Sequence, residues 1–352
     1  MFDLTKYFSL KNTLAIALME GFNKYAMAGL KVFASHGLRR AKMPMTISDD
    51  NARLGTISEH SISIGGQLQR TQGHTLHYNV LAETWIAGVD KGDYTIDFST
   101  DLNFPLFGDT VQLAASAYLY KCLPVFFHFN YHSKHFWWDE NLERETRTVL
   151  EGTFSYQKTD TRLRVAIDEI QNYIYFGMSY SLDSDMNRNG LTGSVYQETG
   201  NINVLTAQLM QNFRLGPLNW ENVVTYQNSS NKDVLPLPAL NIFSNLYLKF
   251  MIARVLHVEL GGCVTYFTKY DAPDYLPQIG QFAIQQNADS RVELGGYPFV
   301  DIYVNFKLKR ARFFVAMSHI NSGSGTKMQF LTPHYPMNNS TFRLGVSWTF
   351  LN

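Results

Sequence analysis

The sequence predicts an all-β fold, a transmembrane antiparallel up-and-down β-barrel of about sixteen strands, with fourteen to eighteen admissible. Three observations point there. Apolar and polar residues alternate with a period of two along most of the chain. Many alternating segments run about 10–15 residues, longer than the about 5–6 usual in soluble domains and enough for a tilted membrane strand. Short turns exchange with long polar connections, most regularly after residue 202.

The elements follow in order. Strands are expected near 12–21 and 24–35, hinged at 21–23. Next come 57–71 and 74–88, joined at Gln72–Gly73. In the first of these, Ile62, Ile64 and Leu68 alternate with Ser63, Gly65, Gln67 and Gln69. Strands at 92–107 and 110–121 flank Gly108–Asp109, and further ones are expected at 124–136 and 146–158. After Thr159–Asp160 comes 161–177, where Leu163, Val165 and Ile167 alternate with Arg162, Arg164, Ala166 and Asp168. Strands 202–215 and 218–229 flank Gly216–Pro217. Strand 238–254 carries Leu240, Ile242, Leu246, Leu248 and Phe250 on one face, and 257–269 follows. Val300, Ile302, Val304, Phe306 and Leu308 form one face of 297–309, which turns at Lys309–Arg310 into 311–321. The last strand, 341–351, sets Phe342, Leu344, Val346, Trp348 and Phe350 against Thr341, Arg343, Gly345, Ser347 and Thr349. One face is greasy and the other wet. Long polar loops are expected at 36–56, 178–200, 230–237, 271–295 and 322–340. Between about 90 and 160 the short-and-long order breaks down under this assignment.

Composition agrees with a barrel and excludes other classes. The 352 residues hold 30 Lys plus Arg against 30 Asp plus Glu. A neutral balance argues against nucleic acid as a partner, which needs a basic surface. Charged residues are only 17% while Phe and Tyr number 25 and 20, and mean hydropathy is slightly negative. Alternation makes the average cancel in a barrel. The longest clean apolar run, 14–19, is far too short for a membrane helix. Cys122 and Cys263 are too few for a disulfide framework. The start at Met1 has neither a basic region nor an apolar core of a signal peptide. The expectation is therefore one barrel domain over 1–352, either numbered after processing or lacking N-terminal strands and the export signal.

Several segments together resemble a known family. They are NTLAIALMEG at 12–21, HSKHFWWD at 132–139, NYIYF at 172–176, DVLPLP at 233–238, YFTKYDAPDY at 266–275, GYPFVDIYV at 296–304, KRARFF at 309–314, TPHYP at 332–336 and FRLGVSWTF at 342–350. The chain resembles the β-barrel porins of Bacteroidota outer membranes, and corresponds to the later part of longer members. The resemblance implies an outer-membrane barrel with a channel role and supplies no catalytic residues.

A porin reading implies a water-filled channel for passive diffusion of small hydrophilic solutes, with outer-membrane lipid outside. The expected channel-lining charges are Glu151, Arg162, Arg164, Asp168, Lys249, Glu259, Asp301, Lys307, Lys309 and Arg343. Mixed signs imply weak net ion preference or local strips of charge. Trp85, Trp137, Trp138, Tyr175, Phe176, Trp220, Tyr297 and Trp348 are candidates for aromatic girdles at the membrane surfaces. No cofactor, metal or catalysis is expected. His128 and His132 share a strand face that His135 does not, and adjacent Ser318 and His319 would point to opposite sides. The acidic run 183–190 lacks the closing glutamate of a calcium loop. Two rival readings are an outer-membrane barrel enzyme or lipid handler, and a soluble all-β carbohydrate-binding module.

Overall fold

A computed structural model describes residues 4–22, 28–48, 51–73, 75–106, 108–185, 187–287, 290–325 and 329–350. Fifteen strands pair consecutively and antiparallel. They are β1 (Lys6–Leu18), β2 (Gly29–Ser48), β3 (Asn51–Arg70), β4 (Leu76–Gly88), β5 (Tyr94–Leu106), β6 (Asp109–Cys122), β7 (Glu145–Tyr156) and β8 (Thr161–Leu182). Then come β9 (Arg188–Leu215), β10 (Leu218–Ser229), β11 (Leu240–Ile252), β12 (Leu256–Phe267), β13 (Phe299–Leu308), β14 (Ala311–Ser318) and β15 (Thr341–Trp348). The outer strands β1 and β15 do not pair with each other, so the barrel is not closed.

Connections at 71–75, 107–108, 157–160, 216–217, 253–255 and 309–310 define one end of the sheet. Those at 89–93, 123–144, 183–187, 230–239, 268–298 and 319–340 define the other. The short turns use left-handed backbone. At 253–255, Ala253 and Arg254 have φ of 49° and 59°, the pair of positive values that matches hairpin twist.

The structure corrects the expected strand list in three places. Residues 124–136 are not a spanning strand: Phe126–Phe129 forms one helical turn, and Asn130–His132 pairs with Trp137–Asp139 in a small hairpin. Removing that strand gives fifteen instead of sixteen and restores the alternation of connections through 90–160. The predicted loops at 36–56 and 178–200 lie mainly in strand, within the hairpins β2–β3 and β8–β9. These strands have 20, 20, 22 and 28 residues, whereas a membrane crossing needs about 9–11. Their far ends stand clear of lipid, where no apolar face is required. That is why they read as polar loops.

Register separates two faces. On one, Leu14 opposes Ala34 and then Ile64, and Leu113 opposes Phe154 and then Leu163. Farther along, Leu248 opposes Leu260, and Val315 opposes Leu344. These side chains are open: Leu14 is 77% exposed, Ile167 53% and Leu344 67%. The opposite face is polar and concave. Lys11 on β1 reaches Glu83 on β4 at 3.0 Å, although three strand spacings of about 4.8 Å separate them on a flat sheet. Only a sheet curled toward its polar side brings them together.

The driest packing lies at the long-loop end. Phe136, Trp138, Met178, Tyr180, Val195, Leu276 and Ala283 form one buried cluster drawn from two connections, 123–144 and 268–298, and from β8 and β9 beside them.

Candidate functional site: a polar wall and its covered mouth

The concave face gathers the polar strand positions. Strand register puts nine of the ten expected lining charges there: Glu151, Arg162, Arg164, Asp168, Lys249, Glu259, Asp301, Lys307 and Arg343. Lys309 is the exception. It sits in the turn between β13 and β14 with φ 50°, because the strand ends at Leu308 and the chain reverses there.

Many of these charges are neutralised by a neighbour across the sheet. Arg164 donates to Glu151 at 2.6 Å. Lys249 meets Glu259 at 2.8 Å. Asp168 is held by Arg147, whose Nε donates to both of its oxygens at 2.9 Å. Asp301 accepts the backbone N–H of His319 at 2.7 Å. Arg162 donates to Ser155 Oγ at 3.4 Å, and Arg343 donates to Ser318 Oγ. Period-two reading found the strand positions but missed several partners. Arg147 lies on β7, and Arg39 binds both Glu59 at 3.0 Å and Asp90 at 2.6 Å. The facing register that makes these pairs is not visible along one strand.

The aromatic expectations divide. Trp220 and Trp348 lie on the apolar face near the short-turn end, and Trp220 stacks obliquely on Phe213 at 5.4 Å. This is the girdle position. Trp85 instead shares the concave face with Ser63 and takes Lys11 over its ring at 5.9 Å. Trp138 and Tyr297 are buried, Phe176 packs on Trp138, and Trp137 stacks on His132 with centroids 3.9 Å apart. All belong to the long-loop end: Trp137 and Trp138 in connection 123–144, Tyr297 in connection 268–298, and Phe176 where β8 has passed beyond β7. Tyr175 stacks on Tyr173 and Tyr196 in the projecting β8–β9 hairpin.

The other sequence candidates also take up packing roles. His132 bonds Pro44 O at 2.6 Å and Asp139 at 2.8 Å. His128 is packed edge-on to Phe176, and burial pushes its pKa down. His319 Nδ1 meets Asn338 O at 3.0 Å and its Nε2 the Tyr297 hydroxyl at 3.2 Å. Asp183 accepts the N–H groups of Asp185 and Asn187 at 2.9 and 2.8 Å. Those donors hold its carboxyl below the usual range.

The mouth at the long-loop end is crossed by connection 268–298. Its segment Gln281–Gln285 pairs parallel with β8, Ile284 opposite Gly177 and Gln285 opposite Met178. There β8 has outrun β7, so its edge would otherwise stay unpaired. The arrival point lies four strands from β12, so the connection acts as a strap across the mouth. Gly193 lets the strap seat closely, since a Cβ there would stand 2.7 Å from Leu276 Cδ1. The strap is pinned by Asp274, whose side chain is fully buried. Asp274 Oδ2 accepts from Arg188 Nη1 at 2.9 Å and contacts His334 Nδ1 at 2.8 Å. The strap, the start of β9 and connection 319–340 thus meet at one carboxylate. Sequence reasoning placed 271–295 in a loop but did not find this knot, whose members lie 60 and 86 residues apart.

The model of the family described as "Putative porin" matches residues 1–352. This chain belongs to that family. No curated protein matches it significantly in sequence. Its fold is similar to that of the siderophore receptor PirA from Acinetobacter baumannii, with a TM-score of 0.66, 12% identity, and coverage of 98% of this chain and 55% of that one. A ferric enterobactin receptor (PfeA) mutant from Pseudomonas aeruginosa gives 0.64 at 13% identity, with 97% and 54% covered. The FrpB iron transporter from Neisseria meningitidis gives 0.62 at 12%, with 98% and 55% covered. The chain therefore spans about half the length of these structures. Family and fold together make this porin-family chain an outer-membrane β-barrel protein.

Proposed function

We propose that the chain builds the wall of a water-filled channel for passive diffusion of small hydrophilic solutes, with no catalytic step. The supporting observation is the division of the sheet into an open apolar convex face and a polar concave face whose charges are largely paired. A lipid belt around a wet interior satisfies both the bilayer and the backbone. The motif set adds Bacteroidota as the source. Closure is part of the proposal. Fifteen alternating strands leave β1 and β15 running the same way, so an all-antiparallel ring takes an odd number of further strands, from this polypeptide or another.

Purified protein in planar bilayers should give discrete current steps that grow with KCl concentration. Protein that inserts and stays electrically silent refutes the channel. The strap supports a second reading, a receptor that captures a ligand at a covered mouth. It predicts silence until the strap is removed.

A further inference from the structure

We propose that the concave face at the short-turn end of β12–β14 is an oxyanion-binding strip, built from Lys307, Arg312 and His257, that takes phosphate-bearing small solutes. For transport the inference rests on the channel reading; for binding it does not.

Register makes the strip. His257 on β12 stands directly opposite Lys307 on β13, and Lys307 directly opposite Arg312 on β14. Ser347 on β15 continues the row. Directly opposed residues have Cβ atoms about 4.5–5.5 Å apart, and like charges there are destabilising. Elsewhere on this face cations meet either a carboxylate, as in Arg164–Glu151 and Arg147–Asp168, or a serine hydroxyl, as Arg162 and Arg343 do. Here they meet neither. Lys307 and Arg312 have no ion pair or hydrogen bond among the described residues, and both are exposed. Glu259, the acid in the lining of the adjoining cavity, is already engaged by Lys249 at 2.8 Å. These groups border an open cavity of about 560 Å³, where Lys249, His257, Glu259, Lys307, Arg312 and Ser347 share the lining with Asn305, Phe306, Phe313 and Phe314.

The chemistry selects an oxyanion. The Arg312 guanidinium offers a planar fork to two oxygens, and the Lys307 ammonium adds a point charge. The Ser347 hydroxyl and the His257 imidazole extend the donor row. A phosphate group seated between the two cations relieves their repulsion. It also gives the channel a local anion preference at this end, within an interior otherwise balanced in charge.

Inorganic phosphate, titrated calorimetrically into the full chain in neutral detergent micelles, is the probe. Wild-type protein should bind it. The double variant Lys307→Gln/Arg312→Gln should lose at least about tenfold in affinity. The swap Lys307→Arg/Arg312→Lys should retain binding, which separates lost charge from lost fold. Doping the micelles with phosphatidylglycerol should leave phosphate affinity unchanged. Competition by the lipid assigns the strip to a headgroup and overturns the solute proposal. So does wild-type protein that binds no phosphate, or a double variant that binds as wild type does. In bilayers under a KCl gradient, the double variant should shift the reversal potential toward cation permeation. A wild type that conducts no current fails the channel reading alone, and the micelle titration still decides the strip.

Discussion

Replacing Asp274 by Asn tests whether the strap is held by the buried carboxylate. The change keeps the shape and one acceptor oxygen but removes the charge. Oδ1 takes the N–H of Tyr275 at 2.7 Å, while Oδ2 serves both Arg188 and His334. An amide cannot accept on both sides, so the variant loses either the Tyr275 bond or the Arg188 bond, together with the charge that Arg188 and His334 face. A hydrogen bond to a charged group is worth about 1.5–3 kcal/mol. Arg188 and His334 are 30% and 29% exposed, so screening puts the loss at the low end, about 2 kcal/mol in all. At 1.4 kcal/mol per factor of ten, the undocked strap becomes about 30-fold more populated. Hydrogen exchange should show this as faster exchange at Gln286, whose N–H is bonded to Met178 O across the strap contact. The strands β10–β12 should stay protected. Unchanged exchange at Gln286, in a variant that folds, would mean the apolar seat of Leu276 and Ala283 suffices and the knot is incidental.

Leu150→Arg puts a cation in the middle of the lipid-facing row, beside Ala117 and Ile167; urea refolding into vesicles should show about 2–4 kcal/mol lost, whereas a water-facing site would lose almost nothing. Gly88→Ala should cost more than about 3 kcal/mol or block folding, because φ is 89° and a Cβ would stand 1.9 Å from His60 O. Gly152→Ala, with no atom within 4 Å, should stay within about 0.5 kcal/mol in the same refolding titration. The 183–187 turn should loosen in acid. The folded pKa of Asp183 lies below its ordinary 3.8, so its stabilisation is full above that value and fades as pH falls through the folded one. Asp183→Asn should abolish that acid dependence of amide exchange at Asn187.

Much of the barrel was legible because lipid and water impose opposite demands on alternate residues. Thr341–Trp348 and Phe299–Leu308 read correctly for that reason. Legibility ended where one demand ended. In β2, His36, Leu38, Arg40 and Lys42 follow Leu30 and Val32 on the same face, and past the bilayer nothing keeps that face apolar. At 124–136 the apolar run PVFFHF mimicked a strand, because its Phe side chains serve the packing of the loop end: Phe126 is buried beside Ala41 and Met43. Placement on the concave face followed from periodicity for nine of the ten expected charges, whereas Lys309 falls in a turn one residue beyond its strand. The pairing of Lys249 with Glu259 and the isolation of Lys307 depend on which strands adjoin, which a single strand's pattern does not encode.

The parallel contact of Ile284 with Gly177 has a consequence for assembly. Each hairpin of the meander can zip onto its predecessor with only local chain closure. The strap cannot, since its landing edge on β8 lies about a hundred residues upstream and several strands away, and distant pairings form late. The opening would therefore be roofed only after both flanks stand, leaving the nascent wall unobstructed while it enters the bilayer.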